Sequence, residues 1–493
     1  MNENPQKYFA IKKGGEKEDK NSDISEEKLN KARQLAQELK AIVDKANERK
    51  EPLTEEDIKR AKKLKEQIQR IFSKEKREIK RGEVIDLIQQ LEEKYKIKIK
   101  DAYDIHIRPD GTLAGRVMLS YGRWLLFIGD KLLKKIRGEE IIDVSDIHSQ
   151  PNGTLAGKVY LSNKHGRLPF MGNKVLENIG GKKIGTVDNI HSQPDGTLAG
   201  KACLYNERIC VPFIGDKLLE NIGGEKIIDA SDIHSQPDGT LAGRVKLSDG
   251  RWVRWVPFIG DKLLENIEGK EIIDASDIHS QPDGTLAGVV ELSDRRRFPF
   301  IGDKLLKKIG DKEIKDVSYI HTQPDGTLAG RVELSDTRQF PFIGDKLFEN
   351  IGGKEIIGAS DIHSQPDGTL AGRVYLFKEY EWSKEYKWVP FKGDKLFENI
   401  GGKEIRSASD IHSQPDGTLA GKVMLSYKRW VPFMGDKLLE NIEGKEIIGA
   451  DNVHSQPDGT LSGIVKLRDN NGNEESVCFF WDGERILKTP LFD

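Results

Sequence analysis

Nine histidines recur through the chain, His106, His148, His191, His234, His279, His321, His363, His412 and His454, separated by 42, 43, 43, 45, 42, 42, 49 and 42 residues. Imidazole transfers protons and binds metals near neutral pH, so this recurrence suggests a metal ring or a proton relay. A metal site, however, needs ligands converging within ~2 Å of one ion, which a periodic set of wide-set imidazoles does not obviously supply. The other reading is structural. Each ring would sit wedged between neighbouring units, bonded to the Asp two residues before it or to the Ser or Thr after it, as a buried polar network requires. That reading is adopted, and no metal ligand, cofactor-binding residue or catalytic residue is assigned.

Other chemistry is sparse. Cys203 and Cys210 flank Asn206-Glu207 and would face each other on adjacent strands. With no secretory signal ahead of them, a reduced pair is expected, and a reducing, cytoplasmic setting with it. Cys478 stands alone, with nothing to suggest a nucleophile beside a base. No phosphate-cradling glycine motif occurs, and the Gly-Gly of Glu-Asn-Ile-Gly-Gly-Lys reads as a turn. No carboxylate pair is unique to one place. A site repeated nine times suits multivalent binding better than catalysis, so the protein is not expected to be an enzyme.

The histidines belong to a larger repeat. His-Ser-Gln-Pro-Asp-Gly-Thr-Leu-Ala-Gly stands unaltered at five of them and with small changes at His106, His148, His321 and His454. Within one copy, an extended run ends at Pro-Asp-Gly, whose residues suit a tight turn. Thr-Leu-Ala-Gly-Arg-Val-Lys-Leu then reads as a second strand, and Ser-Asp-Gly as a hairpin into a Val-Pro-Phe-Ile strand. The Gly-Asp-Lys-Leu-Leu-Glu-Asn-Ile quarter is open between a short helix and a fourth strand. The ninth copy, with Asp482-Gly483 between apolar runs, favours the strand.

Four short antiparallel strands in about 43 residues is the period of a β-propeller blade. The strand–Pro-Asp-Gly–strand unit resembles the blades of WD-repeat and TolB-like propellers over residues 98–493. In copies one to eight Gly-Asp or Gly-Asn stands where the WD-repeat ending would fall, and only Trp481-Asp482 shows that ending. The resemblance implies a mainly β chain, a nine-bladed ring and buried histidines. A ring of eight blades with the divergent ninth displaced is the alternative.

Variation among copies concentrates in the second hairpin, whose tips would share one face of the ring. These tips carry Arg123 and Trp124 in the first copy, and Arg251, Trp252, Arg254 and Trp255 in the fourth. The fifth brings Arg295, Arg296 and Arg297, the lengthened seventh Trp382, Tyr386 and Trp388, and the eighth Arg429 and Trp430. Arg, Trp and Tyr are favoured in binding hot spots, though loop drift with aromatics packed between blades would look similar. The leading functional expectation is a protein-interaction scaffold with a protein partner. The second is a multivalent lectin with equivalent carbohydrate sites between blades.

The N-terminal part differs. Residues 1–22 are polar and aperiodic and read as a disordered tail. Residues 23–97 show helical spacing, through Leu29, Leu35, Leu39 and Ile42, then Ile58, Ala61, Leu64 and Ile68, and after Gly82 through Val84, Leu87, Ile88 and Leu91. A helical hairpin plus one short helix is expected. Residues 1–100 hold 27 basic and 21 acidic side chains, but the 493-residue chain has 79 Lys plus Arg against 81 Asp plus Glu, a net charge of −2. That balance argues against nucleic acid as a partner, and no apolar run approaches a membrane span.

Overall fold

The computed structural model describes residues 79–491 except 194, 237, 249–252, 282, 324, 381–382 and 427. The tail, the expected helical hairpin, Arg251, Trp252 and Trp382 lie outside the described residues.

The third blade shows how one repeat folds. Lys182–Ser192 pairs with Leu198–Leu204, that strand with Cys210–Ile214, and that with Lys217–Leu218, all antiparallel. The Pro-Asp-Gly segment closes as read: Gly196 N–H donates to Gln193 O at 2.9 Å, and Asp195 Oδ1 accepts from Thr197 N–H at 2.8 Å. The ambiguous quarter contains two short strands and no helix. Lys217–Leu218 returns across Gly215-Asp216. Asn221–Ile222 then turns across Gly223-Gly224, both at positive φ (58° and 85°), to start the next blade's sheet. Most blades therefore have five strands, the first contributed by the repeat before. In the ninth, Trp481 pairs with Ile486, so Asp482-Gly483 sits in a four-residue loop rather than a two-residue one.

The long strand carries a bulge just before each histidine, where the register slips by one residue. The residue two before each histidine is left-handed, with φ between 53° and 57° in all nine blades. Asp or Asn holds that place in eight copies, the side chains that tolerate it best, and Tyr319 holds it in the sixth. Opposite the bulge the Thr-Leu-Ala-Gly glycine lies so close that a Cβ on Gly200 would stand 2.9 Å from the carbonyl oxygens of Asp188 and Asn189. Its cross-strand partner is a phenylalanine, as in Gly115–Phe127, Gly200–Phe213 and Gly463–Phe479. These phenylalanines are fully buried. Each contributes roughly 1.5–3 kcal/mol by leaving water.

All nine blades join one ring. The ninth meets the first through Gln456 Nε2–H, which donates to Ala102 O at 2.8 Å, and through Tyr103 stacked on His454 with centroids 4.4 Å apart. The first blade has only four strands, since no repeat precedes it. A helix stands there instead: α1, Glu83–Tyr95, in the same compact unit as the blades. Its Val84, Leu87, Ile88 and Leu91 stripe is buried, in one cluster with first-blade residues and Phe480.

Candidate functional site

The bulge turns each histidine toward the neighbouring blade. Nδ1–H donates to the carbonyl oxygen of the left-handed residue two before it, at 2.7–3.0 Å in eight blades, and His412 bonds Asp410 likewise. A carbonyl only accepts, so the proton is on Nδ1 and Nε2 of a neutral ring is an acceptor. In four blades the hydroxyl that meets it comes from the next blade, not from the repeat's own serine. His106 reaches Ser149, His191 Ser235 and His234 Ser280 at 2.7 Å, and His363 reaches Ser413 at 2.6 Å.

Burial holds these imidazoles below their ordinary pKa, and His412, also repelled by His454 and His363, falls to about 4. His454 is the exception: burial pulls it down, but its hydrogen bond to Asp101 and that carboxylate's charge raise it overall. Among the described residues no three His, Cys, Asp or Glu side chains are grouped to hold a metal ion.

The second strand adds a row of cations. Arg116, Arg244 and Arg373 pair with the left-handed Asp of their own blade at 2.9–3.0 Å. Arg116 and Arg373 also donate to the next blade's Val144 O and Ala408 O at 2.9 Å. Where lysine replaces arginine, its partner is a carboxylate. Lys158 bonds Asp188 of the third blade at 2.8 Å, and Lys422 lies 3.5 Å from Asp451 of the ninth. Between blades two and four, Asp146, Lys158, Asp188, Lys201, His191 and His234 help line a cavity of about 680 Å3.

Of the expected hairpin residues, four arginines reach the next blade and four tryptophans pack on a cation of their own blade. Trp124, Trp255, Trp388 and Trp430 are half-buried, each with a second-strand cation over its ring: Arg116, Arg244, Arg373 and Lys422, at 4.5–5.6 Å. Arg123 donates to Ile141 O of the next blade, and Arg429 to Ile447 O at 3.1 Å. Arg254 pairs with Glu265 and Glu271, and Arg297 with Asp316. Arg296 turns back to Asp294 at 2.8 Å. Arg295 remains 78% exposed and Tyr386 47% exposed. The sequence signal for the missed junction residues was the Arg or Lys that follows Thr-Leu-Ala-Gly in most copies.

Two further placements concern the thiols. Cys203 lies directly opposite Cys210, and the two form a disulfide, which corrects the expected reduced pair. Antiparallel pairing puts both side chains on one face at closest approach. Burial pushes the Cys478 thiol up to about 11. Among the described residues no helix is long and apolar enough to cross a membrane.

No family model matches the chain, and no curated protein does. Solved structures similar to it include the Dos1 propeller, at 10% identity over 67% of this chain and 91% of that one, with a TM-score of 0.31. The WD40 β-propeller domain of Doa1 is similar at 11% identity over 69% and 93%, with a TM-score of 0.25. A puromycin-hydrolyzing peptidase of Mycobacterium tuberculosis is similar at 10% identity and a TM-score of 0.30. There the match takes in 84% of this chain but spans about half, 55%, of the peptidase. The class that the blades themselves define is a nine-bladed β-propeller.

Proposed function

We propose that the protein is a non-enzymatic scaffold that binds a protein partner on the hairpin face of its ring. The observation that carries this reading is the seventh blade. Its second hairpin, Leu370–Tyr380 against Ser383–Lys392, makes ten cross-strand pairs where the fifth blade makes five. It carries an aromatic ladder, with Tyr375 stacked on Trp388 at 4.9 Å and on Tyr386 at 5.4 Å. The outer end of that ladder is exposed. A ring that repeats its contacts has reason to depart from them where it meets something asymmetric, and aromatic residues are favoured at such contacts.

The lectin reading has less support, because the recurring Asp, Arg and Lys residues between blades pair with one another. Affinity capture followed by mass spectrometry tests the scaffold reading, with full-length protein and a Tyr386→Ser, Arg295→Ser variant. A partner held by the unaltered chain and released by the variant at unchanged melting temperature supports it. Equal capture by both removes that face from consideration, and saturable glycan binding with several equivalent sites per chain would favour the lectin.

A further inference from the structure

The glutamine two residues after eight of the histidines is nearly absent from solvent: Gln150, Gln281 and Gln323 are 2%, 4% and 3% exposed. At some junctions this amide spans the gap directly. Gln365 Nε2–H donates to Ser413 Oγ of the eighth blade, and Gln414 Nε2–H to Ser455 Oγ at 2.7 Å. In the first repeat Arg108 takes the position and donates to Gly153 O at 2.9 and 3.1 Å.

Gln193 and Gln236 make no such bond, but at their junctions His191 meets Ser235 and His234 meets Ser280 directly. Three junctions lack both the amide bond and the histidine–hydroxyl bond. Between blades two and three, His148 Nε2, Ser192 Oγ and both amide atoms of Gln150 are buried with no protein partner. Between five and six the same holds for His279 Nε2, Thr322 Oγ1 and Gln281, and between six and seven for His321 Nε2, Ser364 Oγ and Gln323. One such buried group costs about 1–3 kcal/mol, so several together at each of three junctions need a common partner.

The chemistry of that partner follows from the groups. The histidine offers only an acceptor, because Nδ1–H is committed to a carbonyl; glutamine offers an acceptor and a donor; the hydroxyl offers either. These groups carry no charge with the imidazole neutral, so they offer no counter-charge to a buried cation or anion. Water matches the set: it donates to His Nε2 and Gln Oε1 and accepts from the hydroxyl or the amide. Thr322 adds a reason at its junction. It stands where most copies have serine, and its β-branched side chain is more restricted in turning a hydroxyl toward His279. Globular chains hold about one buried water per 27 residues, so three such sites are ordinary in number.

We propose that these three junctions each bind one buried water, bridging histidine and glutamine of one blade to the hydroxyl of the next, while His363 and Ser413 meet without one. A high-resolution crystal structure of the full chain tests this directly. The expected map has a peak within hydrogen-bonding distance of both His279 Nε2 and Gln281, and none between His363 and Ser413. A direct His279–Thr322 hydrogen bond with no peak overturns the proposal, as does a peak with anomalous signal, which would be a cation. Oxygen-17 relaxation dispersion in solution gives a second reading, since it counts long-lived waters. A Gln281→Met chain with unchanged melting cooperativity should hold one fewer than the unaltered protein. An equal count overturns the assignment at that junction.

Discussion

The glycine of Thr-Leu-Ala-Gly has little room for a side chain, because the bulge across from it turns two carbonyls inward. A Cβ on Gly421 would lie 2.6 Å from Asp410 O and 3.0 Å from Ser409 O, backbone atoms that can move only with the strand. Gly421→Ala should therefore destabilise the protein by about 1–3 kcal/mol and lower its melting temperature. Gly449→Ala is the control: its Cβ would meet only Lys466 Cβ at 3.7 Å, and it should stay within about 0.5 kcal/mol. Equal losses at the two sites would mean the bulge is not there. The histidines of the same bulge predict a pH dependence. In eight blades the folded-state pKa is depressed, so their contribution is complete above the unfolded value of 6.5 and is lost as pH falls toward the folded value. For His412, held near 4, the full loss is on the order of 3 kcal/mol. His454 works oppositely, adding stability below 6.5 that is lost as pH rises through its raised value. Melting temperature should thus fall from pH 7 to pH 5, and less steeply in His412→Gln. A rise on acidification would contradict neutral, Nδ1-protonated rings.

Neighbouring blades are held by matched pairs that the repeat varies in concert. Where the second strand ends its glycine motif with arginine, the next blade supplies a backbone carbonyl; where Lys158 or Lys422 stands, the next blade supplies Asp188 or Asp451 in place of the usual serine, whereas Lys201 has Ser231 at that place and pairs with Asp229 at 2.8 Å. Asp188→Ser should cost about 1 kcal/mol, since Lys158 is 13% exposed and its partner 50%, and solvent screens the pair. Adding Lys158→Arg should recover most of that loss by restoring the pattern of the other blades, which a double-mutant cycle on melting would show as a favourable coupling. Additive losses would show that Lys158 and Asp188 are not coupled. Much of each blade could be read from the sequence, because the Pro-Asp-Gly turn and the alternating strands obey local rules that act within a few residues. The matching across blades could not, since it joins residues some 30 positions apart through a gap that periodicity does not describe. The hairpin tryptophans were misleading for a different reason: an aromatic beside a turn looks exposed until the cation that covers it, on the second strand of its own blade, is known. The division of Gly-Asp-Lys-Leu-Leu-Glu-Asn-Ile between two sheets was hidden too, because each strand is only two residues long.

Closing a ring of near-copies raises a problem that no blade solves alone, since the first blade has only four strands where most have five. α1 addresses both ends. Near its start, Val84 N–H donates at 3.0 Å to Asp458, the turn aspartate of the ninth blade, which is 4% exposed. At its end Lys94 pairs with Asp130 of the first blade, and Tyr95 Oη accepts from Leu132 N–H at 3.0 Å. Arg81, just ahead, reaches Asp416 of the eighth blade at 2.6 Å. Asp458 thus caps α1 as well as its own turn, and burial raises its pKa where that of Asp238, at the same place in the fourth blade, is lowered. Two substitutions separate the roles. Leu91→Ala removes a fully buried side chain from the helix and should cost about 2–5 kcal/mol. Asp458→Ala leaves the helix N-terminus and Thr460 without their acceptor and should cost about 1–2 kcal/mol, whereas Asp238→Ala, at an exposed turn of the fourth blade, should cost less. Hydrogen exchange locates the effect: with Asp458→Ala, protection should fall first in α1, the first blade and the ninth, while the middle blades keep theirs. Uniform loss around the ring, or none at the seam, would show that the blades close without the helix.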